Sequence, residues 1–261
     1  MKPKSVVGAL LVGLWALSAV GQIPLVRMLD MLNASQRQPV DANVFPSFGF
    51  TPKAWWVMSD ARVIGTAFTV PDRVSGSYPL TNIGASSAFP VRVLADLNGY
   101  DTLAFSVGND SGLYSANYTS AQPHQVTCVI STYDTPLQGN VFAMLYSPPY
   151  QELIKNGGSF IFAMYAGTLL GNVACPASNY FVFDAVFSGS SSAFYTNGVL
   201  EKAGDAGTSS MNGIALGSGN IKGVNMRVAE MVTFVNDLPS TNTVGRSNLF
   251  YYFNHKYNIS P

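Results

Sequence analysis

A chain of 261 residues with 48% hydrophobic side chains can bury a large core, and all-β sandwiches reach this size as single domains. Only 11% of its residues are charged, against roughly 25% in ordinary soluble proteins, and 14 basic residues balance 14 acidic ones. With no basic excess and no basic run, the chain lacks the phosphate-neutralising surface of a nucleic-acid binder, so nucleic acid is excluded as a partner.

The polar surface must then come from Ser, Thr, Asn and Gly. Such surfaces are common on all-β proteins that work outside cells or inside assemblies, and zero net charge, poor for colloidal solubility, suits a subunit held among partners. The expected location is extracellular or within a large assembly.

In chain order, Met1 to Lys4 carries two lysines, and Ser5 to Val26 carries no charge. Residues 1–26 form an apolar N-terminal segment, expected to be helical, for which three readings stay open. It is a signal peptide with a small-residue cleavage site at Ala19-Val20-Gly21. It is a membrane anchor over residues 5–26, just long enough for the bilayer but weakened by Gln22 and Pro24. Or it is a plug packed on partner subunits. Residues 27–44 follow as an amphipathic helix and a polar linker containing Pro39.

The main domain is expected over residues 45–261. Short runs rich in Val, Ile, Phe, Tyr and Thr, bounded by Gly, Pro, Asn or Ser, predict strands over 54–58, 102–107, 126–132, 141–146, 160–165, 180–187, 193–196, 214–217 and 227–235. Many short strands at this spacing indicate a sandwich or barrel. Asn197-Gly198 between two β-rich runs predicts a type I′ hairpin. In Met226–Phe234, plain alternation puts Val228, Glu230 and Val232 on one face, and Ala229, Met231 and Thr233 on the other. Glu230 then needs a partner, such as an arginine, or an edge position. Trp55 and Trp56 are adjacent, so one points into the core and the other is free to be exposed. A short helix is expected over Thr243–Tyr257, with Val244, Asn248, Tyr251, Tyr252 and His255 near one face.

The two cysteines, Cys128 and Cys175, do not have metal-site spacing; they are either buried thiols or a disulfide in an exported protein. His124 beside Pro123 in a loop and His255 in the tail helix read as structural or surface residues.

The order of these features resembles the laminin-G-like, concanavalin A-like lectin jelly-roll domains of bacteriophage virion (tail or fibre) proteins and bacterial surface proteins. The resemblance spans Phe50 to Ile259. It rests on Ala54-Trp55-Trp56-Val57-Met58-Ser59-Asp60-Ala61, on Leu97-Asn98-Gly99-Tyr100-Asp101-Thr102-Leu103-Ala104-Phe105, and on Gly108-Asn109-Asp110-Ser111-Gly112-Leu113. It continues through the hairpin Phe194 to Leu200, Ala215-Leu216-Gly217-Ser218, Glu230-Met231-Val232-Thr233-Phe234 and the ending Asn254-His255-Lys256-Tyr257-Asn258-Ile259. It implies an all-β jelly-roll sandwich of antiparallel sheets that ends in a short C-terminal helix.

What such a domain does depends on its site. The resemblance implies that a hydrolase of this kind would carry two catalytic carboxylates on one strand, as E-x-D-x-E or E-x-D-x-x-E. None of Glu152, Glu201 and Glu230 has an Asp two residues away, and no G-x-S-x-G elbow or nucleotide loop is present. The expectation is therefore that the chain is not an enzyme. It is expected to be a non-catalytic module that binds a glycan or a host cell surface in a virion or extracellular assembly, or else a structural subunit held by its N-terminal segment to other virion or assembly proteins, with a glycoside hydrolase as the third reading. Candidate ligand residues are Asn109, Asp110 and Tyr114 in one polar loop cluster, and Asn197 at the hairpin tip. Calcium is a candidate ion for the Asn109–Asp110 loop.

Overall fold

The computed structural model describes residues 45, 49–64, 67–82, 89–106, 112–116, 118–132, 139–143, 152–156, 161–174, 179–217, 225–236 and 238–259. The expectations for segments 1–26 and 27–44 lie outside these residues. No described helix is long and apolar enough to cross a membrane.

Two antiparallel sheets make up the described chain. The eight-stranded sheet runs in the order β15 (Val199–Gly204), β14 (Ser192–Thr196), β13 (Phe181–Phe187), β8 (His124–Thr132), β17 (Met226–Val235), β6 (Tyr100–Phe105) and β5 (Val91–Leu97), with β1 (Pro52–Val57) also paired to β17. The nine-stranded sheet runs β12 (Leu169–Ala174), β11 (Ile161–Tyr165), β10 (Glu152–Asn156), β9 (Gly139–Ala143), β16 (Ala215–Leu216), β7 (Leu113–Tyr114), β4 (Leu80–Asn82), β3 (Ala67–Val70) and β2 (Arg62–Ile64). Neither closes on itself, so the fold is the expected sandwich and not a barrel. Between the sheets lie Phe105, Cys128, Ile130, Phe183 and Met231 from one and Phe68, Val70, Leu113, Phe162 and Leu216 from the other.

Side chains alternate along each strand, so a strand covered on both faces is buried throughout. All nine residues of β8 are buried. Val126, Cys128 and Ile130 enter the inter-sheet core. Gln125 and Thr127 point to the opposite face, where α1 (Thr243–Tyr257) is seated. His124 opens this strand instead of lying in a loop; it is fully buried, its ring 5.3 Å from that of Phe187.

In β17 the register against β8 shifts between Val228 and Glu230, leaving Ala229 as a bulge. The extra residue reverses the alternation that the sequence suggests. Met226 and Val228 face the core, and so does Met231 beyond the bulge. Glu230 is thereby turned outward, away from the inter-sheet core and beneath the helix. Trp55 and Trp56 do point to opposite faces, but both are buried: Trp56 in the core, its Nε1 donating to Tyr78 O at 2.6 Å, and Trp55 on the helix side.

The helix starts where Asn242 Oδ1 accepts from Gly245 N at 2.7 Å. Gly245 is required there, because a Cβ would meet Pro239 O at 2.4 Å and the Phe50 ring at 2.6 Å. It ends at Asn258, left-handed at φ 54°. Its buried face is Gly245, Leu249, Phe253, Lys256 and Tyr257; Val244, Tyr251 and His255, three of the residues picked out by periodicity, instead form the outward face.

Two buried carboxylates hold this helix to the sheet. At its C-terminal end Glu230 accepts from Trp55 Nε1 (2.6 Å), Tyr252 OH (2.9 Å), Tyr257 OH (2.6 Å) and Lys256 Nζ. The partner is a lysine and not the arginine suggested above. Burial pushes the Lys256 pKa down, with Glu230 opposing that shift. At the N-terminal end Asp184 accepts from Gln125 Nε2 (2.8 Å), Thr127 Oγ1 (2.7 Å) and Ser240 Oγ. Burial pushes the Asp184 carboxyl up to about 6, and its three donors pull it back only in part.

Candidate functional site

Of the residues expected to touch a ligand, Asn109 and Asp110 lie outside the described residues. Tyr114 and Asn197 are not brought together. Tyr114 is half-buried in β7 of the nine-stranded sheet, packed on Ala215. Asn197 belongs to the eight-stranded sheet. It and Gly198 adopt φ 48° and 78°, the type I′ turn expected. Its side chain, however, serves the fold: Oδ1 accepts from Val182 N at 2.8 Å and its own N donates to Val182 O at 2.8 Å. The tip is also pressed on the helix, since a Cβ on Gly198 would lie 3.3 Å from Phe250.

The disulfide expectation is corrected on one side. Cys128 is a free thiol, fully buried between the sheets, and burial holds its pKa well above the usual range. Cys175 lies outside the described residues. The loop expected to take calcium, Asn109–Asp110, lies outside the described residues; among the described residues no group of three or more His, Cys, Asp or Glu side chains is placed to hold a metal.

A different cluster emerges on the face that carries α1, beside the helix. It begins with an irregularity in β5. The pairing with β6 passes from Val93↔Thr102 to Leu97↔Tyr100, so Leu94, Ala95 and Asp96 together oppose Asp101. Ala95 sits at φ 49°, a left-handed conformation that costs a non-glycine residue about 1 kcal/mol. What holds it there is the buried Asp101 carboxylate, which accepts from Ala95 N at 3.0 Å and from Arg92 Nε at 2.6 Å. Strain of this kind is kept where surrounding contacts over-determine the backbone, and it concentrates at functional positions.

The bulge delivers Asp96 to a set of donors from three other segments. Asp96 Oδ2 accepts from Thr102 Oγ1 at 2.6 Å and from the Tyr180 hydroxyl. Asp96 Oδ1 takes Arg227 Nη1 at 2.9 Å. Tyr180 OH also lies 3.2 Å from Thr102 Oγ1. Burial first, and then the neighbouring carboxylate, raise the Tyr180 pKa, so the phenol stays neutral and acts as a donor. Water reaches the cluster: the Asp96 side chain is 13% exposed and that of Arg227 38%.

Chemically this is a planar carboxylate, a planar guanidinium and an amphipathic ring at the edge of a rigid sheet. Carboxylate and guanidinium form the strong, directional hydrogen bonds of polar recognition, and a tyrosine ring adds apolar area with a polar tip. None of its four residues stands out in the sequence. The one local signal is Asn98-Gly99, a second Asn-Gly turn at φ 48° and 81°, which makes β5 and β6 a hairpin and so marks their neighbours as cross-strand partners.

No protein-family model matches the chain, and no curated protein sequence does. Solved structures do share its fold. A sialidase from Trypanosoma rangeli, in complex with a difluoro-KDN ligand, aligns at TM-score 0.56 and 12% identity over 79% of this chain. This chain spans only 33% of the sialidase's length. Domain 4 of a GH43 extracellular arabinanase from Geobacillus stearothermophilus, in complex with arabinotriose, aligns at TM-score 0.56 and 13% identity over 76% of this chain and 98% of that one. A botulinum neurotoxin type C structure, whose cell entry depends on two ganglioside molecules, aligns at TM-score 0.50 and 10% identity over 76% of this chain and 52% of that one. These similarities correct the expectation that the chain is not an enzyme. The same sandwich occurs in a sialidase and in an arabinanase, and the missing E-x-D-x-E run excludes just one arrangement of catalytic groups. The fold itself is that of β-sandwich chains solved with carbohydrate ligands.

Proposed function

We propose that this chain is a glycan-binding β-sandwich domain whose sugar site is the Asp96, Thr102, Tyr180 and Arg227 cluster. The observation that carries the reading is the strained bulge at Ala95: the fold holds an unfavourable backbone in order to bring a solvent-reached carboxylate against an arginine and a tyrosine. The solved chains of the same sandwich, with arabinotriose in one and a sialidase ligand in another, support it from outside. The low charge of the chain fits an extracellular or virion surface as the setting, with a host-cell glycan as partner.

The test is saccharide binding by the full chain, read by glycan array and titration calorimetry, against Arg227→Ala and Tyr180→Phe. Saturable binding that both variants weaken supports the site. Binding that neither changes places the sugar elsewhere, and a folded chain that binds no saccharide defeats the proposal.

A second reading is cleavage of the bound glycan. It is favoured by the Tyr180 hydroxyl bonded to Asp96, the arrangement of a phenol nucleophile beside its base. The raised Tyr180 pKa keeps this reading second. New reducing ends formed by the wild type and lost in Tyr180→Phe would promote it.

A further inference from the structure

We infer that the ligand of the Asp96 site is a neutral saccharide presenting two adjacent hydroxyls, and that acidic sugars are turned away. This rests on the glycan reading above and adds the substrate class to it.

The argument starts from what the two oxygens of Asp96 are doing. Oδ2 is filled, taking Thr102 Oγ1 at 2.6 Å and the Tyr180 hydroxyl. Oδ1 takes Arg227 Nη1 at 2.9 Å, and a carboxylate oxygen has room for two such donors. A ligand reaching the exposed side of Asp96 therefore meets an acceptor and has to donate. An O–H does so; an ionised carboxylate or sulfate cannot.

Charge points the same way. Arg227 is the cation of the cluster, and Asp96 already lies within 2.9 Å of it. The pair has no net charge. An anion approaching the guanidinium comes almost as close to the Asp96 carboxylate, so attraction and repulsion act over similar distances and nearly cancel. A diol has no such conflict, since one hydroxyl donates to Asp96 while its neighbour accepts from a guanidinium N–H. Carboxylate and guanidinium held side by side match two vicinal oxygens. The half-buried Tyr180 ring supplies apolar area next to them.

Calorimetry with matched pairs tests the inference: lactose against 3′-sialyllactose, and arabinotriose as a further neutral probe. The neutral sugars are expected to bind about tenfold or more tightly than the sialylated one, the scale of one hydrogen bond to a charged group. Their affinity should change less than about twofold between low and high salt, because no net charge is neutralised. Asp96→Asn, checked for folding by near-ultraviolet circular dichroism, should weaken the neutral sugars and narrow the gap. Equal or tighter binding of 3′-sialyllactose overturns the inference while leaving the glycan reading standing, and so does a gap that Asp96→Asn does not alter. Failure of the folded wild type to bind any of the three defeats both.

Discussion

The face of the eight-stranded sheet that carries the helix holds the same chemistry twice. Under the helix, Glu230 gathers two tyrosine hydroxyls, an indole N–H and a lysine. Beside the helix, Asp96 gathers a tyrosine hydroxyl, a threonine hydroxyl and an arginine. What separates them is access. Glu230 and Lys256 have side chains 0% and 6% exposed, whereas Asp96 and Arg227 are at 13% and 38%. A sealed carboxylate must be satisfied from within and becomes a fastening; one that water reaches can exchange a solvent contact for a ligand. The composition of a polar cluster is thus a poor guide to its role, and the helix lying over one and not the other decides it. Asp184 marks a third case: sealed like Glu230, but held by neutral donors alone, it is pushed up to about 6.

The largest way to break the sealed region is Lys256→Met. It leaves Glu230 buried without its cation, and chemical denaturation should show a loss of about 3–5 kcal/mol. Asp184 offers a gentler handle. Its folded pKa, about 6, lies above the ordinary carboxylate value of 3.8, so between those values the folded chain holds more protons than the unfolded one. Stability should therefore fall as pH rises through that window, by about 3 kcal/mol at most, and level off above it. Denaturation midpoints from pH 4 to 8 would show the slope, and Asp184→Asn should remove its share; an unchanged slope would mean that another group carries it.

The open region should respond less in stability. Ala95→Gly relieves the left-handed strain but loosens the unfolded chain, for a net gain of about 0.5–1 kcal/mol in thermal or chemical unfolding. Arg227→Ala should cost under about 1 kcal/mol, as exposed ion pairs do, while saccharide binding drops clearly. A large stability loss there would move Asp96 into the same class as Glu230 and remove the contrast.

Much of the sandwich was legible in the sequence. The β-rich runs around Val126, Phe183 and Val232 fall on β8, β13 and β17, because central strands concentrate apolar and β-branched residues. Strands such as β2, three exposed residues, and β5, with a half-polar pattern, carry no such signal. Local spacing also misjudged faces. The bulge at Ala229 turns Glu230 to the side opposite the one that alternation assigns it within β17, and nothing in Val228-Ala229-Glu230 announces it. The helix presents Gly245 and Leu249 inward and Val244 and Tyr251 outward, since Glu230 on the sheet draws in a lysine, and Pro239 O and the Phe50 ring leave room only for a glycine. The candidate site was illegible for the same reason: Asp96 reaches Tyr180 and Arg227 only through a bulge and pairings 84 and 131 residues apart.

The tryptophan pair on β1 has an optical consequence. Trp55 and Trp56 are consecutive, yet one indole is bonded to Glu230 beneath the helix and the other to the Tyr78 carbonyl at the edge of the inter-sheet core. With Trp15, the third tryptophan of the chain, and either member of the pair replaced by phenylalanine, the remaining indole reports on a single interface. Emission from Trp55 would follow the lifting of the helix, and emission from Trp56 the parting of the sheets, so two steps of unfolding could be timed separately from one dipeptide.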